Sequence, residues 1–179
     1  MAKHILKGSR CYIGGPIDLA DNSHDWRSPV KDFLRKRFGV KVFDPHADPK
    51  QSKIPELNKL TEQKDYEAMR SIVKDFVRAD LSIVDHSDFV ISHVPYKVPT
   101  TGTTHEIINS NNAKKPTLLV CPQGKHLIPR WYYGFIPLHF MFSSWEELYS
   151  YLIEVDEGMH ADDDRWWFLY NYHDADWLR

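Results

Sequence analysis

Cysteine is scarce in this chain: Cys11 and Cys121 are the only two in 179 residues. That excludes a disulfide-built scaffold. Both lie in apolar runs that read as strands, so buried free thiols are expected, and a disulfide requires those strands to be neighbours. Charge of one sign is lacking too. The 23 basic side chains nearly cancel the 25 acidic ones, leaving −2. Non-specific attraction to nucleic acid or to an anionic membrane is therefore not expected. No apolar run approaches the roughly 20 residues that span a bilayer. The N-terminal "MAKHILKGSRCYIGG" has neither the apolar centre nor the small-residue cleavage site of a signal peptide, so the cytoplasm is the expected location. There is no internal repeat and no low-complexity linker. Neither a G-x-G-x-x-G dinucleotide fingerprint nor a P-loop lysine after Gly102 is present.

What is there alternates between strand and helix, over a length that suits one domain with a real core. "RCYIGG" (10–15) reads as a first strand. Pro29 opens a helix whose Val30, Phe33, Leu34 and Phe38 form a stripe, closed by Gly39. "VKVFDP" (40–45) is a second strand. Residues 46–61 are polar and rich in Pro, Lys and Gln, and read as a long loop. A long helix follows from about Glu62 into the low eighties, with Tyr66, Met69, Val73 and Phe76 on one face and Ile72 and Val77 beside them. "DFVISHV" (88–94) is a third strand, 103–114 a helix, and "PTLLVCP" (116–122) a fourth strand. Pro137 precedes "LHFMF", a fifth. Ser143, with Glu146 three residues on, starts a last helix running to 155.

Five parallel strands with helices on both faces predict a flavodoxin-like doubly wound sheet over residues 1–155. Residues 156–179 form an acidic tail carrying Trp166, Trp167 and Trp177. Aromatics at that density bury somewhere, either over their own domain or on a neighbouring subunit.

Ligands of such sheets bind beyond the carboxyl ends of the strands, and four stretches fall there. "YIGGPID" ends the first strand with Gly14, Gly15 and Pro16, where missing side chains allow close approach to the backbone; a tight turn explains the glycines equally well. In "FDPHAD", Asp44, His46 and Asp48 alternate, but the spacing fits no standard zinc site, and no metal is expected. Asp80 sits four residues after Phe76 and seven after Val73, on the apolar stripe of its own helix. A carboxylate there is costly unless paired or functional, and burial would raise its pKa, which suits a proton donor. Fraying of the helix would leave it solvated instead. The fourth stretch is "TGTTHEI" (101–107), where Gly102 and Thr103 precede a helix whose free N–H groups suit an anion or hydroxyl-rich ligand. Thr103 and Glu106 also match the S/T-x-x-E capping box, so spacing alone makes Glu106 a cap. "PRWYYGFIP" (129–137) reads as a base-stacking wall or as ordinary packing.

Taken together, Tyr12-x-x-Gly15-Pro16, Asp80 placed 26 residues before Glu106, "TTGTTHE" (100–106) and "KKPTLLV" (114–120) resemble the nucleoside 2-deoxyribosyltransferase family. The resemblance includes its relatives that hydrolyse the N-glycosidic bond of deoxynucleoside monophosphates. It covers roughly residues 10–155. It implies Glu106 as a nucleophile that attacks the anomeric carbon of a deoxyribose and forms a glycosyl ester. It implies Asp80 near the base to manage its proton, and Tyr12 to orient Glu106. Gly14, Gly15, Pro16, Asp44, Thr100, Gly102 and Thr103 are the candidate substrate-binding residues. No cofactor is implied, because a carboxylate stabilises an oxocarbenium-like transition state directly. The implied partners are a small-molecule nucleoside or nucleotide and a free nucleobase, with no nucleic acid and no membrane, and a homo-oligomer is expected.

One position departs from the pattern. The transferases usually carry an aspartate six residues before the nucleophile, and the monophosphate hydrolases a serine; here it is Thr100. A hydroxyl-rich, uncharged mouth admits a phosphate, but no cation lies inside the motif, Lys97 being the nearest, with Arg10 and Arg130 reaching it only through folding. Transfer to a second base is the leading expectation and hydrolysis of a deoxynucleoside 5′-monophosphate the alternative. A non-catalytic nucleotide-binding module is the expectation of another class.

Overall fold

The computed structural model describes residues 4–17 and 25–172. Five strands form one sheet: β1 (Arg10–Gly14), β2 (Lys41–Phe43), β3 (Phe89–His93), β4 (Thr117–Val120) and β5 (Met141–Phe142). Their order is β2-β1-β3-β4-β5, and every pairing is parallel. This is the flavodoxin-like doubly wound arrangement. β1 is paired with Tyr12 opposite Val90 and Gly14 opposite Ser92. β3 and β4 are apolar along nearly their whole length because helices cover both faces. Cys11 and Cys121 are buried free thiols, and β3 separates the strand of the first from that of the second.

Helix α1 (Arg27–Phe33) continues into a π-type turn over Leu34–Phe38 and ends at Gly39, whose φ of +73° is the left-handed cap expected of glycine. The stretch expected to be a loop is ordered instead. Asp44 and Asp48 each precede a proline, and each carboxylate accepts a backbone N–H two residues on, starting short 3-10 turns at Pro45–Ala47 and Pro49–Lys53. The second turn runs straight into α2 (Ile54–Gln63). Lys64, in the left-handed conformation, breaks the chain before α3 (Tyr66–His86). The stripe on α3 faces a cavity and solvent, not the core: Tyr66 is 69% exposed, and within α3 only Val84 is fully buried.

Helix α4 (Thr101–Asn112) follows β3. Helix α5 (Trp145–Glu157) is capped one residue later than its sequence suggests, Ser144 accepting from the N–H of Glu147 at 3.1 Å. Beyond it the chain folds back to α6 (Trp167–Tyr172). Trp166 is fully buried, its ring centroid 5.6 Å from that of Phe89 and its Nε1 donating to the Tyr151 hydroxyl at 2.8 Å. The guanidinium of Arg165 donates to the Asn111 carbonyl at 3.1 Å and to Asn111 Oδ1 at 2.9 Å, capping the last turn of α4. Trp177 lies outside the described residues. Among those described, no helix is long and apolar enough to cross a membrane.

Candidate active site

Strand order reverses between β1 and β3, and a crevice opens beyond their carboxyl ends. A cavity of about 310 Å³ occupies it. One side of its mouth is the start of α4, Thr100 to Thr103, whose first N–H groups have no helical acceptors. No neighbour lies within 4 Å of where a side chain would start on Gly102, so a ligand can reach that backbone. Gly15 and Pro16 form the opposite lip. Ile54 and Leu57 from α2, with Val73 and Phe76 from α3, supply an apolar wall.

Glu106 stands at the floor. It is 8% exposed, and the Tyr12 hydroxyl donates to its Oε1 at 2.7 Å. The capping-box alternative fails here: α4 begins at Thr101, and Glu106 reaches away from its own helix to β1. The other oxygen, Oε2, has no protein partner. It fits because Gly14 lies beneath it; a Cβ on Gly14 would stand 2.7 Å away. Burial raises the Glu106 pKa from 4.5 to about 7, the Tyr12 hydrogen bond opposes the rise, and the charge of Asp80 adds to it. Burial and then the Glu106 charge push the Tyr12 phenol well above its usual range, so it remains a donor.

These shifts have a direct consequence for Tyr12→Phe. Losing the hydroxyl removes the bond that favours the carboxylate, so the Glu106 pKa rises further. A reaction that needs ionised Glu106 gains rate as pH passes about 7, and in Tyr12→Phe that limb moves to higher pH. The plateau rate falls about tenfold, the scale of one hydrogen bond to a charged group. A pH–rate profile checks both.

Asp80 is not at a frayed end, since α3 continues to His86. Its Oδ1 accepts from the ammonium of Lys50, and both side chains line the cavity. Burial raises the Asp80 pKa, while the Lys50 hydrogen bond and charge work against that. Asp44, expected to bind substrate, does not line this cavity. Its oxygens are held by Arg27 Nη1 at 2.9 Å and Lys31 Nζ at 2.7 Å, and the same oxygen that meets Arg27 accepts the His46 N–H. Among the described residues no cluster of metal-ligating side chains forms. The aromatic stretch 129–137 contributes nothing to the cavity lining either. Trp131 is 81% exposed, and the buried Tyr132 hydrogen-bonds Thr104 at 2.7 Å, bracing the outer side of α4.

Two residues were not foreseen. Arg27 is buried and donates to the carbonyls of Ile13 at 3.1 Å and Gly15 at 3.0 Å, holding the turn after β1 in place. Lys50 enters from the presumed loop. The signal for it was the repeated Asp-Pro of "DPHADP", two helix-start signatures in tandem.

No protein-family model matches the chain, and no curated protein matches it in sequence. A solved structure does match, a 2-deoxyribosyltransferase from Bacillus psychrosaccharolyticus, at 22% identity over 80% of this chain and 92% of that one, with a TM-score of 0.56. Likeness at that identity speaks to architecture, and the chain has the fold of that 2-deoxyribosyltransferase.

Proposed function

We propose that the protein cleaves the N-glycosidic bond of a deoxynucleoside or deoxynucleotide by double displacement, with Glu106 as nucleophile. One observation carries this: a carboxylate buried at the strand-order switch point, one oxygen oriented by Tyr12 and the other free of protein partners at the foot of a ligand-sized cavity. Oε2 attacks C1′ as the base departs, giving a glycosyl ester. A second base, or water, then attacks the same carbon and releases Glu106. The positive charge that develops on the sugar forms beside the carboxylate, in a pocket that limits its screening by water. The apolar wall of α2 and α3 suits the base, and the free N–H groups and hydroxyls of 100–103 suit the sugar's oxygens.

Transfer to another base is the leading form of the reaction. The hydrolytic form, acting on a deoxynucleoside 5′-monophosphate, is favoured by Thr100, which puts an uncharged hydroxyl at the cavity mouth where an aspartate would repel a phosphate. Two incubations separate them. A deoxynucleoside with a second free base gives an exchanged nucleoside if the enzyme is a transferase. A deoxynucleoside monophosphate alone gives free base and sugar phosphate if it is a hydrolase. A chain that binds these compounds and turns over none of them is a binding module, and the proposal is then wrong.

A further inference from the structure

We propose that Lys50 is the proton donor to the departing base, with Asp80 as the partner that aims it. This rests on the N-glycosidic reading above and goes beyond it by moving the proton from the carboxylate to the ammonium. Among the described residues, Lys50 is the only lysine or arginine that lines the cavity holding Glu106. Its side chain is 11% exposed and that of Asp80 20%, so the pair is largely removed from water. Of the two groups the ammonium is the one that carries N–H protons to give, and Asp80 Oδ1 accepts one of them. The proton nearest the base therefore belongs to Lys50.

The position is built. Asp48 accepts the backbone N–H of Lys50 at 2.9 Å, and Gln51 Nε2 ties the same turn to the Pro45 carbonyl at 2.8 Å. Asp44, held by Arg27 and Lys31, starts the turn before it. The ammonium also sits 5.7 Å from the centre of the Phe76 ring, on the wall assigned to the base.

When the C1′–N bond breaks, its electron pair goes to the base, and the new bond forms between C1′ and Glu106 Oε2. Lys50 passes one proton to the base, which leaves neutral, and the lysine becomes a neutral amine beside the Asp80 carboxylate. In the second half-reaction the incoming base or water bonds to C1′ and loses a proton, which returns to Lys50, while the C1′–O bond to Glu106 breaks with its electrons. Lysine and glutamate are both restored.

The test is leaving-group dependence in Lys50→Met, a substitution that keeps the length and the packing over Phe76. Wild type and variant are assayed on 2′-deoxyguanosine, whose base needs a proton to leave, and on N7-methyl-2′-deoxyguanosine, whose cationic base departs neutral without one. The expected result is a loss of about 10²-fold on the first substrate and less than threefold on the second, the first figure being the usual contribution of a general acid. The same comparison on the 5′-monophosphates is expected to give the same pattern. Equal losses on both bases, or no loss on either, overturn the proposal and leave the glycosidic reading standing. A loss confined to phosphorylated substrates overturns it as well and makes Lys50 a phosphate contact. Wild-type protein that cleaves none of the four overturns the parent reading and this one with it.

Discussion

Glu106→Gln is expected to abolish turnover, by roughly 10⁴-fold or more, while ligand affinity changes little. The amide keeps the shape and can still accept from Tyr12, but it has no charge with which to form the glycosyl ester. Rapid-quench assays with equilibrium binding measure the two halves separately, and a variant that retains even a tenth of its rate removes Glu106 from the nucleophile's role. The same substitution has a stability signature. Burial raises the Glu106 pKa from 4.5 to about 7, so the folded protein holds this proton more tightly than the unfolded chain. The wild type therefore loses stability as pH rises from about 4.5 through 7, and the cost is fully present above that window. It is on the order of 3 kcal/mol. Glutamine carries no such cost. Urea denaturation should show Glu106→Gln gaining on the wild type between pH 5 and pH 8, and a pH-independent gap refutes the assignment.

Gly14→Ala is expected to be the next most damaging change, at roughly 10³-fold in kcat/KM. The added methyl would stand 2.7 Å from Glu106 Oε2, 3.4 Å from Ser92 Oγ and 3.4 Å from the Tyr12 ring. Those neighbours leave the carboxylate as the group that moves. Displacing a reacting atom by about 1 Å costs about 10²-fold, and weakening the Tyr12 hydrogen bond about tenfold more. Gly134→Ala is the matching control away from the cavity, where the methyl meets no protein atom within 4 Å. It should fold normally and lose far less. If both alanines cost the same, the packing of Glu106 over Gly14 is not what sets the rate.

The first four strands could be read from the sequence because each is a short apolar run stopped close by with Gly or Pro; of the fifth run, "LHFMF", only Met141–Phe142 is strand, because Leu138–Phe140 turns as a 3-10 helix after Pro137. The pairing of Tyr12 with Glu106, 94 residues apart, was reachable only through the resemblance to a family pattern. Local spacing favoured a cap, and local spacing lost to a tertiary contact with β1. Residues 46–61 were misread for a different reason. They hold few apolar residues, and the order there comes from carboxylates of Asp44 and Asp48 bonding the backbone, which hydrophobic periodicity cannot register. Lys50 was lost with them. Arg27 was missed because a basic residue at the start of an amphipathic helix looks solvated, whereas here three acceptors bury it under the turn after β1. On α3 the periodicity was real and the inference from it was not: the stripe marks the wall of a cavity, and apolar spacing alone does not distinguish that from a core.

The grip of Arg165 on Asn111 ties the carboxyl end of α4, the helix that carries Glu106, to a segment far along the chain. Anyone shortening this polypeptide for crystallisation, or fusing a reporter near its carboxyl terminus, is therefore handling the anchor of Glu106 from behind. Trimming before residue 165 would free the rear of that rod and uncover the hollow that Trp166 plugs, so an inactive short form would say nothing about the chemistry at the front.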